Sequence, residues 1–413
     1  MVRALVFSTL YPNAVQANHG IFVENRLRHT LALGGIEATV LAPVPYFPSS
    51  HPLFGRYGAF AAAPRHERRH GIEVLHPRYL VLPKLAGLTP YWLYHCALSA
   101  AKKLRARGIG FDVIDAHYFY PDGVAAAMLG WTLGLPVVIT GRGTDLTLIP
   151  RNAAARRKIQ WAACEASAMI TVCEDLRQRL VALGAKPERV MVLRNGVDLE
   201  RFSPGDRGAA RAALGLSRHT LLSVGSLIAR KGHHIAIEAM RALPDCELLI
   251  AGSGPMAREL RELAHRLDVA GRVRFLGEVP HAQLPGVYRA ADVLILASER
   301  EGWANVLLEA MASGTPVVAT NVNGTTEVVR APEAGVLVAE RSAPALVAAL
   351  QQLSRNMPAR AATRRYACRF GWEPTARANS ELLVSAAMAG RAGRHQPGLL
   401  AAARGYAELG NPA

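Results

Sequence analysis

At 413 residues the chain is too long for one ordinary core and comfortable for two domains of about 150 to 200 residues each. Half of the residues are apolar and 19% are charged, the balance of a folded α/β protein, which excludes disorder on a large scale. The formal net charge of +16 would suit an anionic membrane surface or an anionic substrate; nucleic acid is set aside, because zinc-finger spacing, a basic zipper helix and an aromatic-rich RNA-binding signature are all missing.

The first predicted element is a strand over Ala4 to Ser8, within an apolar run that ends at Tyr11-Pro12 and is too short and polar-ended for a signal peptide. A loop through His19-Gly20-Ile21-Phe22-Val23 follows, then a strand from Ala38 to Ala42. Pro43 to Pro90 holds many prolines and little periodicity, and reads as a long insertion whose loops line a cleft or meet a membrane. Tyr91-Trp92-Leu93-Tyr94 fits a buried helix and a membrane seat equally well. Next comes a strand from Val113 to Ala116, running into His117. Gly123 to Gly141 lacks any charged residue, yet Pro136 argues against a membrane span; the segment reads as a helix over Val124 to Leu133, a turn, and a strand over Val137 to Thr140. Strands at Met169 to Val172 and Val190 to Leu193 complete a parallel sheet with helices between.

The turn-rich stretch from Asn195 to Asp206 looks like a connection, so the boundary is placed near residue 200. A second series of strands begins at Leu221 to Val224 and continues at Glu247 to Ala251, Val273 to Leu276, Val293 to Ala297, Val317 to Ala319 and Gly335 to Val338. A helix is expected after Pro344 and another over Tyr366 to Met388, with a Gly-, Ala-, Arg- and Pro-rich tail over 389–413. Five scattered cysteines without a Cys-x-x-Cys pair suggest neither a disulfide framework nor a metal site, and favour a reducing cytoplasm. Only six of the 48 basic residues are lysine, a skew that partly reflects coding bias, so a merely solvated basic surface competes with a functional one.

The strongest chemical signal runs from Ser298 to Thr320. A strand ends near Ala297, a loop carries Glu301 and Gly302, and a helix begins at about Asn305, read as its N-cap, and stops at Ser313-Gly314. The free amides and positive dipole end of such a helix accept a diphosphate, and Gly302 lets the backbone come close. Glu301 and Glu309 would repel phosphate but can each hold a vicinal diol, one on ribose and one on the transferred sugar. On its own, such a glutamate pair is ordinarily a solvated helix face.

The string Glu-Gly-x-x-x-x-x-x-Glu-Ala-Met-Ala-x-Gly-x-Pro-Val-Val resembles the signature of the retaining glycosyltransferase family 4, whose fold is GT-B: two facing Rossmann-like α/β domains with parallel sheets and an interdomain cleft. The resemblance recurs along almost the whole chain. Val224-Gly225-Ser226-Leu227-Ile228-Ala229-Arg230-Lys231-Gly232 matches the family's phosphate loop, with Lys231 on the family lysine; the family arginine falls at Ser226, for which Arg230 is a substitute to be tested. Gly252-Ser253-Gly254-Pro255 and Leu276-Gly277-Glu278-Val279 resemble the turn beside the nucleotide and the segment whose backbone meets the base, the latter placing Gly277 in the donor site. Gly20 lies on the family's first glycine loop, and His117 on its active-site histidine. Thr140-Gly141-Arg142-Gly143-Thr144-Asp145 is similar to a loop of polysaccharide-assembling members, so that Arg142 and Asp145 either line the acceptor side or form an internal salt bridge.

The resemblance implies transfer with retained configuration from a nucleotide-diphosphate sugar, such as a UDP- or GDP-sugar, to a glycan or lipid-linked acceptor. His117, Lys231 and Glu301 would be catalytic, and Gly302, Trp303, Ala304, Asn305, Val306 and Glu309 would bind donor with Gly20, Arg230 and Gly277. The domains implied are 1–200 on the acceptor side, 201–365 on the donor side and a returning helix over 366–388. The absence of any Asp-x-Asp implies that neither metal nor other cofactor is needed. A cytoplasmic enzyme of envelope or exopolysaccharide synthesis, peripheral on an anionic membrane, fits best. A sugar-nucleotide epimerase of the same architecture and a noncatalytic sugar-nucleotide-binding protein remain open alternatives.

Overall fold

The computed structural model describes residues 1–82 and 85–392. The chain forms two compact units, Met1–Asn195 with the chain from Trp372 onward, and Gly196–Gly371. The division falls at Asn195, five residues before the expected position.

In the first unit the strands are β1 (Val2–Phe7), β2 (Ile36–Leu41), β3 (Val44–Pro45), β4 (His66–Arg69), β5 (Ile72–Leu75), β6 (Arg78–Tyr79), β7 (Val113–His117), β8 (Val137–Gly141), β9 (Ala168–Thr171) and β10 (Val190–Val192). Eight of them form one sheet in the order β10-β9-β8-β7-β1-β2-β5-β4, and β3 pairs with β6 apart from it. All pairings in the large sheet are parallel except β4 with β5. The Pro43 to Pro90 region is therefore not a plain loop insertion. Its central part is a hairpin, turned by His70 and Gly71 at positive φ, that extends the sheet.

The chain builds β1, β2 and β5 outward in one direction, then returns to lay β7, β8, β9 and β10 on the other side of β1. Order reverses between β1 and β7, the position where ligands gather in such sheets. The buried face carries Val2, Ala4, Val113, Val138, Ala168 and Ile170, and against it pack Leu382, Leu383, Ala386 and Ala387 of the last helix, Trp372–Arg391. That helix starts six residues later than expected, because Gly371 is extended and separates it from Arg360–Ala367, where Tyr366 lies. It continues to Arg391, past Met388; the remainder of the expected tail, 393–413, lies outside the described residues.

The second unit holds β11 (His219–Val224), β12 (Cys246–Ala251), β13 (Val273–Gly277), β14 (Val293–Leu296), β15 (Val317–Thr320) and β16 (Gly335–Val338), all parallel in the order β13-β12-β11-β14-β15-β16. These six match the predicted series to within two residues at each end. Near-continuous apolar runs such as Val293-Leu294-Ile295-Leu296, buried throughout, are what a sheet covered on both faces requires. Here the order reverses between β11 and β14, which brings the ends of those two strands together.

Candidate active site

The loop after β11 is shaped by close backbone approach. Gly232 sits at φ 72°, and a Cβ there would lie 2.0 Å from the Ala297 carbonyl oxygen, so only glycine lets this loop rest on the end of β14. Lys231 is thereby set beside the loop that carries Glu301. Its Nζ lies 2.6 Å from Glu301 Oε1, which also accepts from Ser298 Oγ at 2.6 Å. Arg230 donates to the Arg300 carbonyl at 2.8 Å and stands 3.9 Å from Glu301 Oε2. Glu301 is 8% exposed and Lys231 17%, so the pair is largely withdrawn from water.

The sequence reading gave Lys231 to phosphate and Glu301 to hydroxyls; in this structure the two side chains meet each other. The topology converges them, because the loops after β11 and β14 meet where the strand order reverses. Arg230, proposed in place of the missing family arginine at Ser226, is directed at the same glutamate.

The helix Asn305–Ala312 begins next. Ala304, not Asn305, holds the N-cap position, with φ −89° and ψ 82°, so Asn305 is the first helical residue. Trp303 and Ala304 are buried, Gly302, Asn305 and Val306 half-buried, and the Trp303 indole N–H has no hydrogen-bond partner. Glu309 accepts from the Tyr288 hydroxyl at 2.8 Å and lies 3.2 Å from His281 Nε2. Arg201 donates to His281 Nδ1 at 3.1 Å, which leaves the ring's proton on Nε2, facing Glu309. Burial, and then the Glu309 charge, push the Tyr288 phenol well up, so it stays a donor. The two glutamates are thus held by different chemistry: one by an ammonium and a hydroxyl, the other by an imidazole and a phenol.

The turn after β12 seals the same corner. A Cβ on Gly252 would meet the Gly225 carbonyl oxygen at 1.9 Å, and one on Gly254 the Leu227 backbone at 2.6 Å. Gly252 N–H donates to the Gly277 carbonyl at 2.7 Å, lacing the ends of β12 and β13. Gly277 itself is at φ 71° with open space around its Cα.

In the first unit, Gly20 stands at φ 68° before the helix Ile21–Ala32, and a Cβ would lie 2.3 Å from the Leu10 carbonyl carbon and oxygen, so the loop presses directly on the chain leaving β1. His19, left unassigned from sequence, contacts the Thr9 carbonyl at 3.0 Å. His117 ends β7 at the reversal point, where its carbonyl accepts from Ser8 Oγ at 3.2 Å. Arg142 Nη2 lies 2.9 Å from His117 Nδ1; a guanidinium can only donate, so Nδ1 is the acceptor and Nε2 carries the proton, 3.4 Å from Asp115 Oδ2. Burial lowers the imidazole's affinity for a second proton; Asp115 opposes this and Arg142 adds to it. The sequence reading gave His117 hydrogen bonding to the sugar; in this structure both of its ring nitrogens face protein groups.

Of the two expectations for Arg142 and Asp145, the internal salt bridge is not formed. Asp145 accepts from the backbone N–H groups of Phe119 at 2.8 Å, Gly143 at 2.7 Å and Arg142 at 3.1 Å, a buried brace of the loop. The Arg142 guanidinium turns to His117 and to Asn195 Oδ1 at 2.9 Å, and stacks over Phe22. Arg26, fully buried and brought down to about 10 by burial, donates to the same Asn195 oxygen at 3.0 Å. Arg26, His281 and Tyr288 carried no sequence assignment. Asn195 was read only as connection and Ser298 only as the start of the signal string, while Asp115 lies two residues before His117 on the same strand.

Residues 207–370 match the family model for glycosyl transferases group 1, and residues 25–201 that for glycosyltransferase family 4. The chain is 34% identical over 321 residues to a D-inositol 3-phosphate glycosyltransferase of Geodermatophilus obscurus, covering 70% of each. It is 27% identical over 357 residues to the putative teichuronic acid biosynthesis glycosyltransferase TuaC of Bacillus subtilis (strain 168), covering 84% of this chain and 88% of that one. Among solved structures, sucrose-phosphate synthase from Thermosynechococcus elongatus superposes with TM-score 0.75 at 22% identity, over 92% of this chain and 98% of that one. Anabaena HepE in complex with UDP-glucose gives 0.72 at 19%, over 93% and 100%. Likeness at such identities speaks for the fold, two doubly wound units of the GT-B type. Sequence then decides the rest. The chain belongs to glycosyltransferase family 4.

Proposed function

We propose that the enzyme is a retaining, metal-independent transferase that moves a sugar from a nucleotide-diphosphate donor to a glycan or lipid-linked acceptor in cell-envelope polysaccharide synthesis. The observation that carries this reading is the Lys231–Glu301 pair at the strand-order reversal of the second sheet, beside the head of the helix Asn305–Ala312. A departing diphosphate gains negative charge as the glycosidic bond breaks, and an ammonium with helix-head amides stabilises that charge most in the transition state. Once Lys231 turns to phosphate, Glu301 is released to accept from sugar hydroxyls, and Glu309, held by His281 and Tyr288, is suited to a ribose diol. The HepE structure with UDP-glucose supports a nucleotide-sugar donor, and TuaC, named for teichuronic acid biosynthesis, supports an envelope polysaccharide.

His117 is neutral and fixed in one tautomer by Arg142, a geometry that suits orientation rather than proton abstraction. No dedicated base is called for, because a leaving phosphate oxygen can take the acceptor's proton in a front-face attack. No helix among the described residues is long and apolar enough to cross a membrane. A peripheral position at the inner face is supported by exposed Leu53, Phe54, Tyr57, Leu80, Val81 and Leu82.

The test is a thermal-shift screen of nucleotide sugars, followed by nucleoside diphosphate release with and without acceptor and NMR assignment of the product's anomeric configuration. Release only with acceptor, undiminished by EDTA and with retention, is expected. Isomerised donor without release would establish an epimerase, and binding without turnover a noncatalytic protein.

A further inference from the structure

The first unit contains a cavity that the transfer chemistry does not use. It is a groove of about 370 Å³ formed where three helices meet: Thr89–Ala106, Val124–Leu133 and Ala153–Glu165. Its walls are Tyr91, Val124, Met128 and Trp161, and its remaining polar lining is cationic, Arg157 and Lys158. The volume lies at the lower end of the range of about 300–1,000 Å³ usual for ligand sites. Tyr91 and Trp161 are 41% and 40% exposed, so the groove presents two aromatic rings to solvent. Lys158 stands over the Tyr91 ring with its Nζ 4.8 Å from the centroid and donates to the Gly87 carbonyl. Among the described residues no carboxylate lies within ion-pair distance of Arg157 or Lys158, so their charge is uncompensated at the rim.

The groove's place in the fold matters as much as its lining. Val124 and Met128 stand in the first turns of a helix reached from His117 through Tyr118–Gly123, and Tyr120 of that connection donates to the Ala86 carbonyl at 3.3 Å, just before Tyr91. Ala153–Glu165 begins shortly after the Arg142–Asp145 loop. All three walls therefore open at the same edge of the sheet as His117. Exposed Leu85 and Leu88 continue the apolar surface beyond Tyr91.

We propose that this groove binds the hydrocarbon chain of a lipid-linked acceptor, with Arg157 and Lys158 receiving the phosphate that joins chain to glycan. The inference rests on the acceptor being lipid-linked, and it names the part of the protein that reads the lipid. An apolar trough bordered by unpaired cations complements an anionic amphiphile at both ends. The trough is too small for a bilayer patch, and a soluble glycan would leave its apolar walls wet. Transfer itself takes place on the glycan, so no bond to the lipid forms or breaks here.

The test uses the full chain and dodecyl phosphate below its micellar concentration, with binding measured by calorimetry. Wild type should bind saturably at one site, with affinity rising about fourfold per methylene between octyl and dodecyl phosphate as each further CH2 is buried. Inorganic phosphate, which lacks the chain, should compete only at more than tenfold higher concentration than dodecyl phosphate. Met128→Trp, which fills the trough, should weaken binding more than tenfold. Trp161→Ala, at a half-exposed position that tolerates truncation, and Lys158→Ala should each weaken it several-fold, with unchanged circular dichroism. Affinity independent of chain length, displacement by an equal concentration of inorganic phosphate, or wild-type binding in Met128→Trp would overturn the proposal. So would binding only to vesicles of anionic phosphatidylglycerol, unaffected by these variants, because that would make the surface a bilayer contact. The donor reading fails separately: a protein that binds dodecyl phosphate but is shifted by no nucleotide sugar refutes the transferase mechanism and leaves the groove, whereas the reverse pattern refutes the groove alone.

Discussion

If Lys231 leaves Glu301 for phosphate when donor binds, the energy coupling the two side chains must fall in the bound state. Two unit charges about 4 Å apart attract by about 4 kcal/mol at an effective dielectric near 20. Desolvation and side-chain ordering take much of this back, and hydrogen bonds to charged groups contribute about 1.5–3 kcal/mol net. A double-mutant cycle with Lys231→Met and Glu301→Gln, followed by urea unfolding, is therefore expected to give a coupling of about 2 kcal/mol in the free protein. Lys231→Met alone strands a carboxylate that is 8% exposed, with Ser298 Oγ as its closest remaining donor. It should cost about 3 kcal/mol, less than the upper end for a fully buried pair, and lower the melting temperature by roughly 6–10 °C. Repeating the cycle with the nucleoside diphosphate that binds best at saturation should bring the coupling below about 1 kcal/mol. A coupling that stays near 2 kcal/mol with the diphosphate bound would refute the exchange, and the pair would then be a strut. A coupling near zero in the free protein would refute the ion pair itself.

Gly252→Ala should destabilise the second unit by about 3 kcal/mol or more, since backbone meets backbone 1.9 Å from the new methyl, whereas Gly277→Ala, with positive φ but open space, should cost only about 1 kcal/mol; thermal melts of the two variants check the contrast. Asp145→Asn leaves one oxygen for three amides and turns an NH2 group towards donors, so about 2–4 kcal/mol of stability should be lost, with a fall in turnover as the Arg142 loop and His117 shift. Burial holds His233 down to about 4, against an unfolded value near 6.5. Its stabilisation is complete above pH 6.5 and falls as pH drops towards 4, by up to about 3 kcal/mol, because the unfolded chain binds a proton the folded one refuses; His233→Gln should flatten that limb in urea melts, and an unchanged slope would be evidence against it. Tyr288→Phe should raise KM for donor about tenfold with little change in kcat, the pattern of a lost brace on Glu309.

The alternation of apolar runs with helical stretches exposed both sheets in the sequence, and in the second unit it placed every strand, because fully buried parallel strands announce themselves as unbroken hydrophobic runs. The hairpin β4–β5 escaped notice for the opposite reason. His66-Glu67-Arg68-Arg69 lies at the sheet margin and is entirely polar, so nothing in its composition distinguishes it from a loop. Lys231, Glu301 and Glu309 were identifiable as residues, yet their pairing was not: Lys231 reaches Glu301, and His281 and Tyr288 reach Glu309, only through the tertiary arrangement, which one sequence does not state. The partner of Arg142 was hidden because a loop arginine near an aspartate suggests a pair, whereas the aspartate is consumed by backbone amides and the guanidinium reaches a histidine 25 positions earlier.

The hairpin settles how this large sheet ends. A free strand margin is a template on which another chain can crystallise, and repeated addition grows fibres. Here the outermost row is a palisade of ionic side chains already tethered inward, Arg69 to Glu24 at 2.6 Å and His66 to Glu73 at 3.3 Å. The opposite margin, β10, is only three residues long. Any newcomer would have to break those tethers on one side and find almost no length to grip on the other, so the protein can be concentrated without its sheets knitting together.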